Sequence, residues 1–404
     1  MILGHVPVAG VESVPLAAAP GRVLRRAVVS DMDYPRSDVS AMDGYCLDSR
    51  AAAGASPTAP VSLAVAGKST PGRQPPVLAP GTCALIATGA PLARGADAVV
   101  KYEDVIAESG AGFDRDAITL RAPVAAGANV RKRGEVARKG DTVAEAGVLI
   151  TPSILGTLAA FASGPFDVSR RPRACVLATG DELAGPGETP PGEMIRDSNS
   201  PALAAMLRAA GCEIAGADRC GDSEEEILAR LEATEDCGMV VISGGISGGP
   251  FDFVPACLDR LGADVVFRGI RMRPGKTAIF AIRGSTVYFG VPGNPVSVVV
   301  AFHMLVQPAV LAMLGAGRPL PASIKATCRE RFDNKWAHMT LTPGVLSADL
   351  TVKPARFLGS GDIMSLARAN ALVRIPDGVD TLSEGEEASV YLLEYPCGIA
   401  EKGA

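Results

Sequence analysis

Three glycine-bearing turns carry most of the residues that could do chemistry. The first, Thr179-Gly180-Asp181-Glu182-Leu183, puts a hydroxyl, a glycine and two carboxylates directly after an apolar run. Such acids either complement the dipole of a following helix or hold a metal and polarise a substrate. The motif alone decides neither. The second runs from Ser243-Gly244-Gly245-Ile246-Ser247 through Gly248-Gly249-Pro250-Phe251 to Asp252. Consecutive N–H groups in such a loop can make a nest for a phosphate. Asp252 is either a cap on the next helix or a carboxylate ligand. A plain turn rarely needs four glycines in ten positions, which favours the functional alternative. The third is Val291-Pro292-Gly293-Asn294-Pro295-Val296-Ser297. Its prolines fix the backbone, and Pro295 suits a first helical turn. It is either a rigid connection or a preorganised wall of an anion site, with Ser297 as a donor.

A basic stretch lies between the second and third turns. Arg268, Arg271, Arg273 and Lys276 fall within ten positions without an acid. A charge run is usually a solvated face. Here it flanks Pro274-Gly275, between two candidate anion loops, so oxyanion binding is at least as good a reading. Gly275-Lys276-Thr277 looks like the end of a P-loop, but the residue five before Gly275 is Ile270 and not glycine. Ser40-Ala41-Met42-Asp43-Gly44-Tyr45 and Thr88-Gly89-Ala90-Pro91 also stand out, although either could be an ordinary turn.

Composition removes other chemistries. The three histidines, His5, His303 and His338, are far apart and none belongs to an H-E-x-x-H pattern, which argues against a zinc hydrolase. A net charge of −5 disfavours a nucleic-acid partner. Nine cysteines, none in C-x-x-C, read as reduced and mostly buried thiols of a cytoplasmic protein. No secretory signal is expected, and no apolar stretch of the ~20 residues that span a bilayer. Ile154 to Phe166 is taken as the most apolar segment.

The elements that must position these turns follow from pattern. From about 169 to 318, strand-like runs alternate with helical ones, which predicts a doubly wound α/β domain that binds ligands at its carboxyl strand ends. Ala174–Ala178, Met239–Ile242 and Val287–Phe289 are strands. Pro201–Ala210 is a helix capped by Asn199 or Ser200, and Ser223-Glu224-Glu225-Glu226 is a capping box. A long helix from Pro295 to Leu314 closes the unit. Residues 31–136 and 319–404 read as small β modules, with turn signals that include Pro71-Gly72, Pro80-Gly81 and Ser109-Gly110. Residues 1–30 and 137–168 form a connecting domain, with a helical turn at Arg22–Ala27, a strand at Val148–Thr151 and a helix at Ser153–Ala162.

In this order the motifs resemble the molybdopterin molybdotransferase family, of the MoeA type and the gephyrin E domain. The resemblance rests on Ser40–Cys46 (SAMDGYC), Thr88–Pro91 with Gly95–Val100, Asn129–Glu135, Thr179–Leu183 and Arg196–Asn199. It continues through Ser243–Phe253, Pro274–Thr277, Gly290–Ser297 and Gly359–Leu372. Each motif alone is weak, but nine in register are specific.

The resemblance implies an enzyme of molybdenum cofactor biosynthesis. It takes adenylylated molybdopterin and molybdate, inserts molybdenum, and releases AMP in a Mg²⁺-dependent step. It also implies an elongated homodimer and transient contact with the molybdopterin adenylyltransferase. Asp43 and Thr88 would face the cleft from the second subunit. Glu182 and Asp252 would supply carboxylates, Asp252 being the better metal ligand. Thr179, Gly180 and Asp181, with Ser243, Gly244, Gly245 and Ser247 and the turn Pro292, Gly293, Asn294, Pro295 and Ser297, would cradle phosphate and pterin. Arg273, Lys276 and Ser297, with Ser360 or Ser365, would form the molybdate side. Val136, Gly221, Gly269 and His338 depart from the family pattern, and Arg268 or Arg271 could replace a lysine usual near position 269. These departures keep open an alternative, a non-catalytic paralogue that binds or carries the pterin or an oxyanion.

Overall fold

The structure, a computed structural model, describes residues 1–107, 115–336 and 338–393. The Ser109-Gly110 turn and Cys397 lie outside the described residues. The eight described cysteines are free thiols, seven of them buried.

The α/β unit follows the apolar runs. Its elements are β1 (Arg173–Thr179), α1 (Asn199–Ala209), β2 (Glu213–Cys220), α2 (Glu224–Glu232) and β3 (Met239–Ser243). Then come α3 (Val254–Arg260), β4 (Asp264–Arg268), β5 (Ile279–Arg283), β6 (Thr286–Val291) and the helix α4 (Pro295–Met313). The strands order as β2-β1-β3-β6-β5-β4. The first four are parallel, and β5 and β4 add an antiparallel edge. Every residue of β3 and β6 is buried, as expected of strands covered on both faces. One face packs Leu203, Leu207, Val298, Phe302 and Val310. The other packs Ile227, Leu231, Val254 and Leu258. Each such side chain, removed from water, is worth roughly 1.5–3 kcal/mol.

The sheet's register sets the site. Ala178 pairs with Ser243, and Ser243 pairs with Val291. The carboxyl ends of β1, β3 and β6 therefore lie side by side, and all three glycine turns open at one edge. The chain passes from β1 to β2 on one side and then back to β3 on the other. The turns thus sit where the winding reverses, the usual crevice for a ligand.

Several expectations change. Arg22–Ala27 is not helical; Val23 and Leu24 instead make isolated bridges to Leu149 and Val168. The strand expected at Val148–Thr151 falls at Thr142–Ala144, where it pairs with Val28–Val29. Neither Asn199 nor Ser200 caps α1. The Asp197 carboxylate does so, accepting the N–H groups of both residues at 3.0 Å. In the capping box, Ser223 accepts from the Glu226 N–H, but the Glu226 carboxylate turns to the N–H of Gly221. The most apolar segment is not Ile154–Phe166 but α4. Its 19 residues, of mean hydropathy 2.0, could cross a membrane by length and composition alone. In the fold it is the core helix of the sheet, with Val296, Val300, Val306 and Ala309 buried.

Two β modules flank this unit. The first is a six-stranded sheet that includes Gly44–Leu47, Thr82–Ile86 and Ala98–Lys101. The last closes on itself, because Met339–Leu346 pairs with both Thr351–Pro354 and Ala371–Ile375. The short strand Met272–Arg273 leaves the α/β unit and joins this barrel beside Met339 and Thr340. That pairing carries the basic stretch to the junction of the two units.

Candidate functional site

Two cavities meet at the carboxyl edge of the sheet. The first, of about 560 Å³, is lined by Thr179, Gly180, Glu182, Asp197, Asn199, Asp222, Ser243, Gly244, Gly245, Ser247, Asp252, Gly293, Asn294 and Pro295, among others. The second, of about 580 Å³, is lined by Arg273, Gly275, Lys276, Pro292, Ser297, Trp336, Phe357 and Ser360, and again by Ser247 and Asn294.

Close packing explains the glycines of the first cavity. Gly244 has φ +101°, and a Cβ there would lie 2.5 Å from the Thr179 carbonyl oxygen. A side chain would force β1 and β3 apart at the site. Thr179 is 5% exposed, and its Oγ1 is buried without a hydrogen-bond partner. A Cβ at Gly245 would lie 2.8 Å from that oxygen, so the second glycine also makes room for Thr179. Asn199 ties two turns together: its Nδ2 donates to Ser243 Oγ at 3.0 Å and to the Gly293 carbonyl at 2.6 Å.

The acids are arranged for cation or phosphate chemistry. Asp252 does not cap α3, which starts from Phe253 without a side-chain cap. Its Oδ2 accepts the Gly249 N–H at 2.6 Å, folding its own loop back. Asp181 does not line the cavity but braces it, accepting the Asp222 N–H at 3.0 Å. Burial first, then the charges of Asp181, Glu182 and Asp252, push the Asp222 carboxyl above its ordinary value, against the pull of the Asp181 N–H. Among the described residues, no three His, Cys, Asp or Glu side chains converge as a complete metal cage.

The second cavity has the opposite sign. Among the described residues its lining holds no carboxylate. Of the four basic residues, only Arg273 and Lys276 reach it. Arg268 pairs with Asp259 at 2.6 Å and Arg271 with Asp377 at 3.0 Å, both out on the surface. Ser360 lines the cavity, and its carbonyl accepts the Val296 N–H at 3.0 Å. Ser365 does not reach it: fully buried, it donates its hydroxyl to the Asp362 carbonyl. Asp43 and Thr88 line neither cavity. They pair with each other on the first β module, Asp43 Oδ1 accepting the Thr88 N–H at 2.7 Å and its hydroxyl at 3.0 Å.

The MoeA N-terminal region (domain I and II) matches residues 1–162, a probable molybdopterin binding domain matches 175–312, and the MoeA C-terminal region (domain IV) matches 325–393. A molybdopterin molybdenumtransferase of Synechococcus elongatus is 33% identical over 97% of this chain and 96% of that protein. The chain belongs to the molybdopterin molybdenumtransferase family. A relative of the same name from Staphylococcus aureus is 32% identical over 95% of this chain and 91% of its own length. Two solved structures of the molybdopterin biosynthesis MoeA protein of Pyrococcus horikoshii share the architecture. One is 30% identical, with a TM-score of 0.79 over 98% of this chain and 97% of that one. The other is 26% identical, with a TM-score of 0.82 over 97% of each. Members of this family are transferases of molybdenum cofactor biosynthesis, and membership favours the enzyme over a non-catalytic carrier.

Sequence reasoning passed over three contributors: Asp197, the clamp role of Asn199, and Trp336. Trp336 had one available signal, since it is the chain's only tryptophan.

Proposed function

We propose that the chain inserts molybdenum from molybdate into adenylylated molybdopterin and releases AMP. The observation that carries this reading is the pairing of an acid-edged cavity with a cationic one across a shared wall. The pterin phosphate and adenylate lie in the first, against Ser243, Gly244, Gly245, Ser247 and the 292–297 turn. Molybdate lies in the second, against Arg273, Lys276, Ser297 and Ser360. The adjacent cavities bring the pterin sulfurs and the metal oxyanion together in one orientation, which is the main service a transferase provides.

Mg²⁺ fits the first cavity as a shared ion. It is usually held by one or two carboxylates plus substrate phosphates rather than by a protein cage. Asp252 is the proposed ligand, with Glu182 beside it; Asp222, raised first by burial and then by the charges of Asp181, Glu182 and Asp252, shares their field. Bound there, the ion would neutralise the phosphates at the bond to AMP.

The working form is a homodimer in this reading. The helix Pro152–Phe161 is apolar, yet only Leu158 is buried. Val11, Val29 and Leu149 of the same region are also exposed. A second copy covering this face would offer Asp43 and Thr88 to the cleft. Transient docking of the adenylyltransferase would deliver the substrate.

Reconstitution tests the reaction: purified protein, adenylylated molybdopterin, molybdate and Mg²⁺. Molybdate-dependent AMP release with formation of active cofactor is expected, and a folded protein that gives neither sinks the reading. Co-expressing Asp43→Ala and Asp252→Ala chains tests the shared cleft. Mixed dimers keep one intact site, so about a quarter of the activity should return. No recovery in proven mixed dimers removes the cross-subunit role.

A further inference from the structure

Trp336 lies where the α/β unit meets the barrel. Its ring stacks on Arg273, with the guanidinium carbon 4.0 Å from the ring centroid. The ring is 48% exposed, so core packing does not explain it. The turn that carries it is nonetheless tightly held. Asn334, only 6% exposed, accepts the Trp336 N–H at 3.0 Å and the Thr340 hydroxyl at 2.7 Å. Its Nδ2 donates to the carbonyls of His338 at 3.1 Å and Val379 at 2.8 Å. A polar network that makes all four bonds of one amide fixes a conformation.

Arg273 is the other half. Its backbone is pinned by the pairing with Thr340. Its Nε is buried without a partner, and among the described residues no carboxylate pairs with it. Stacking occupies a face of the guanidinium, and with Nε buried the Nη pair is the N–H edge left to meet an anion. That edge is a planar fork matched to two oxygens of one anion, which a lysine ammonium cannot reproduce.

We propose that Trp336 is a positioning residue that holds the Arg273 fork ready for a tetrahedral oxyanion in the second cavity. This rests on the proposed function for the identity of the anion. As the chain's one tryptophan, Trp336 also reports the anion's arrival through its own fluorescence.

Inorganic molybdate, titrated into the full-length protein without pterin, tests this by calorimetry and by tryptophan emission. The wild-type protein should show saturable binding with a matching emission change. Arg273→Ala should lose that change. Trp336→Ala should weaken molybdate binding about tenfold, while Trp336→Phe stays within about threefold. In turnover, Trp336→Ala should raise the molybdate KM with kcat little changed, and all variants should bind adenylylated pterin like wild type. Wild-type affinity in Trp336→Ala, equal loss in the Ala and Phe variants, or no molybdate binding by the wild type overturns the proposal. If the wild type still releases AMP in a molybdate-dependent way, the proposed reaction survives that failure. Absence of AMP release sinks the reaction, whatever Trp336 does.

Discussion

The two cavities share Ser247 and Asn294 but differ in sign. One is edged by Glu182, Asp197, Asp222 and Asp252 with Arg196 among them, the other by Arg273 and Lys276. The net balance across the shared wall is therefore acidic on one side and basic on the other. A free dianion is repelled from the first cavity unless a cation is present, and attracted to the second without one. The phosphates, already joined to the pterin, can bring a cation with them. In the proposed reading this difference separates the two substrates, and it can be broken one side at a time.

The largest effect is expected from Asp252→Ala. Among the described residues its carboxylate accepts only from the Gly249 N–H, within its own loop. AMP release should fall by about a thousandfold, in the range seen when one charge-stabilising group is removed. The melting temperature should move by only about 2 °C. A large thermal loss would mean that the acid supports the loop and not the chemistry. Lys276→Ala comes next. Removing a charged donor costs roughly 2–3 kcal/mol, so the molybdate KM should rise about 30- to 150-fold. Pterin affinity should stay unchanged; equal loss of both substrates would show that the cavities do not act separately.

Much of this sorting was legible in the sequence, because glycine turns after apolar strands announce themselves locally. The partners of charges do not. Arg268 and Arg271 look like Arg273 in a linear count, yet Asp259 and Asp377 neutralise them, one 9 residues away and the other 106. Ser360 and Ser365 sit five residues apart; only the helical turn at Ile363–Arg368 decides that the second is buried. Asn199 looked like a cap because asparagine often is one. Its real task, bridging Ser243 and Gly293, needs the register of β1, β3 and β6. The apolar helix α4 failed a reading tuned to bilayers, since a strand-covered core asks for the same composition.

That bridge gives a middle-sized test. Asn199→Ala leaves buried Ser243 and exposed Gly293 without their shared donor, a loss of roughly 1 kcal/mol, since water can replace the donor at Gly293. Asn199, Ser243 and Gly293 line the first cavity, and the turns they tie also carry Ser247 and Asn294, which line both; pterin binding should therefore weaken several-fold and molybdate binding less. Isothermal titration with pterin and then molybdate measures this. A defect confined to one substrate would show that the wall is rigid without Asn199.

The smallest effect probes the acid cavity alone. Asp222 has a folded value raised above its ordinary 3.8, so the folded chain holds that proton more tightly than the unfolded one. Its contribution is therefore most favourable below that ordinary value and is lost as pH rises through the folded value. At pH 7 the ionised group costs stability. Asp222→Asn should raise the melting temperature by about 1–2 °C at pH 7 without Mg²⁺, and the gain should shrink as the pH is lowered toward 4. Added Mg²⁺ should stabilise the wild type more than the variant, because it relieves the part of the cost that comes from the neighbouring acids, though not the part from burial. The opposing force is the Asp181 N–H, which reaches Asp222 at 3.4 Å, a long bond. A variant less stable than wild type at every pH would mean that this bond outweighs the repulsion, and the acid edge would then be structural at that position.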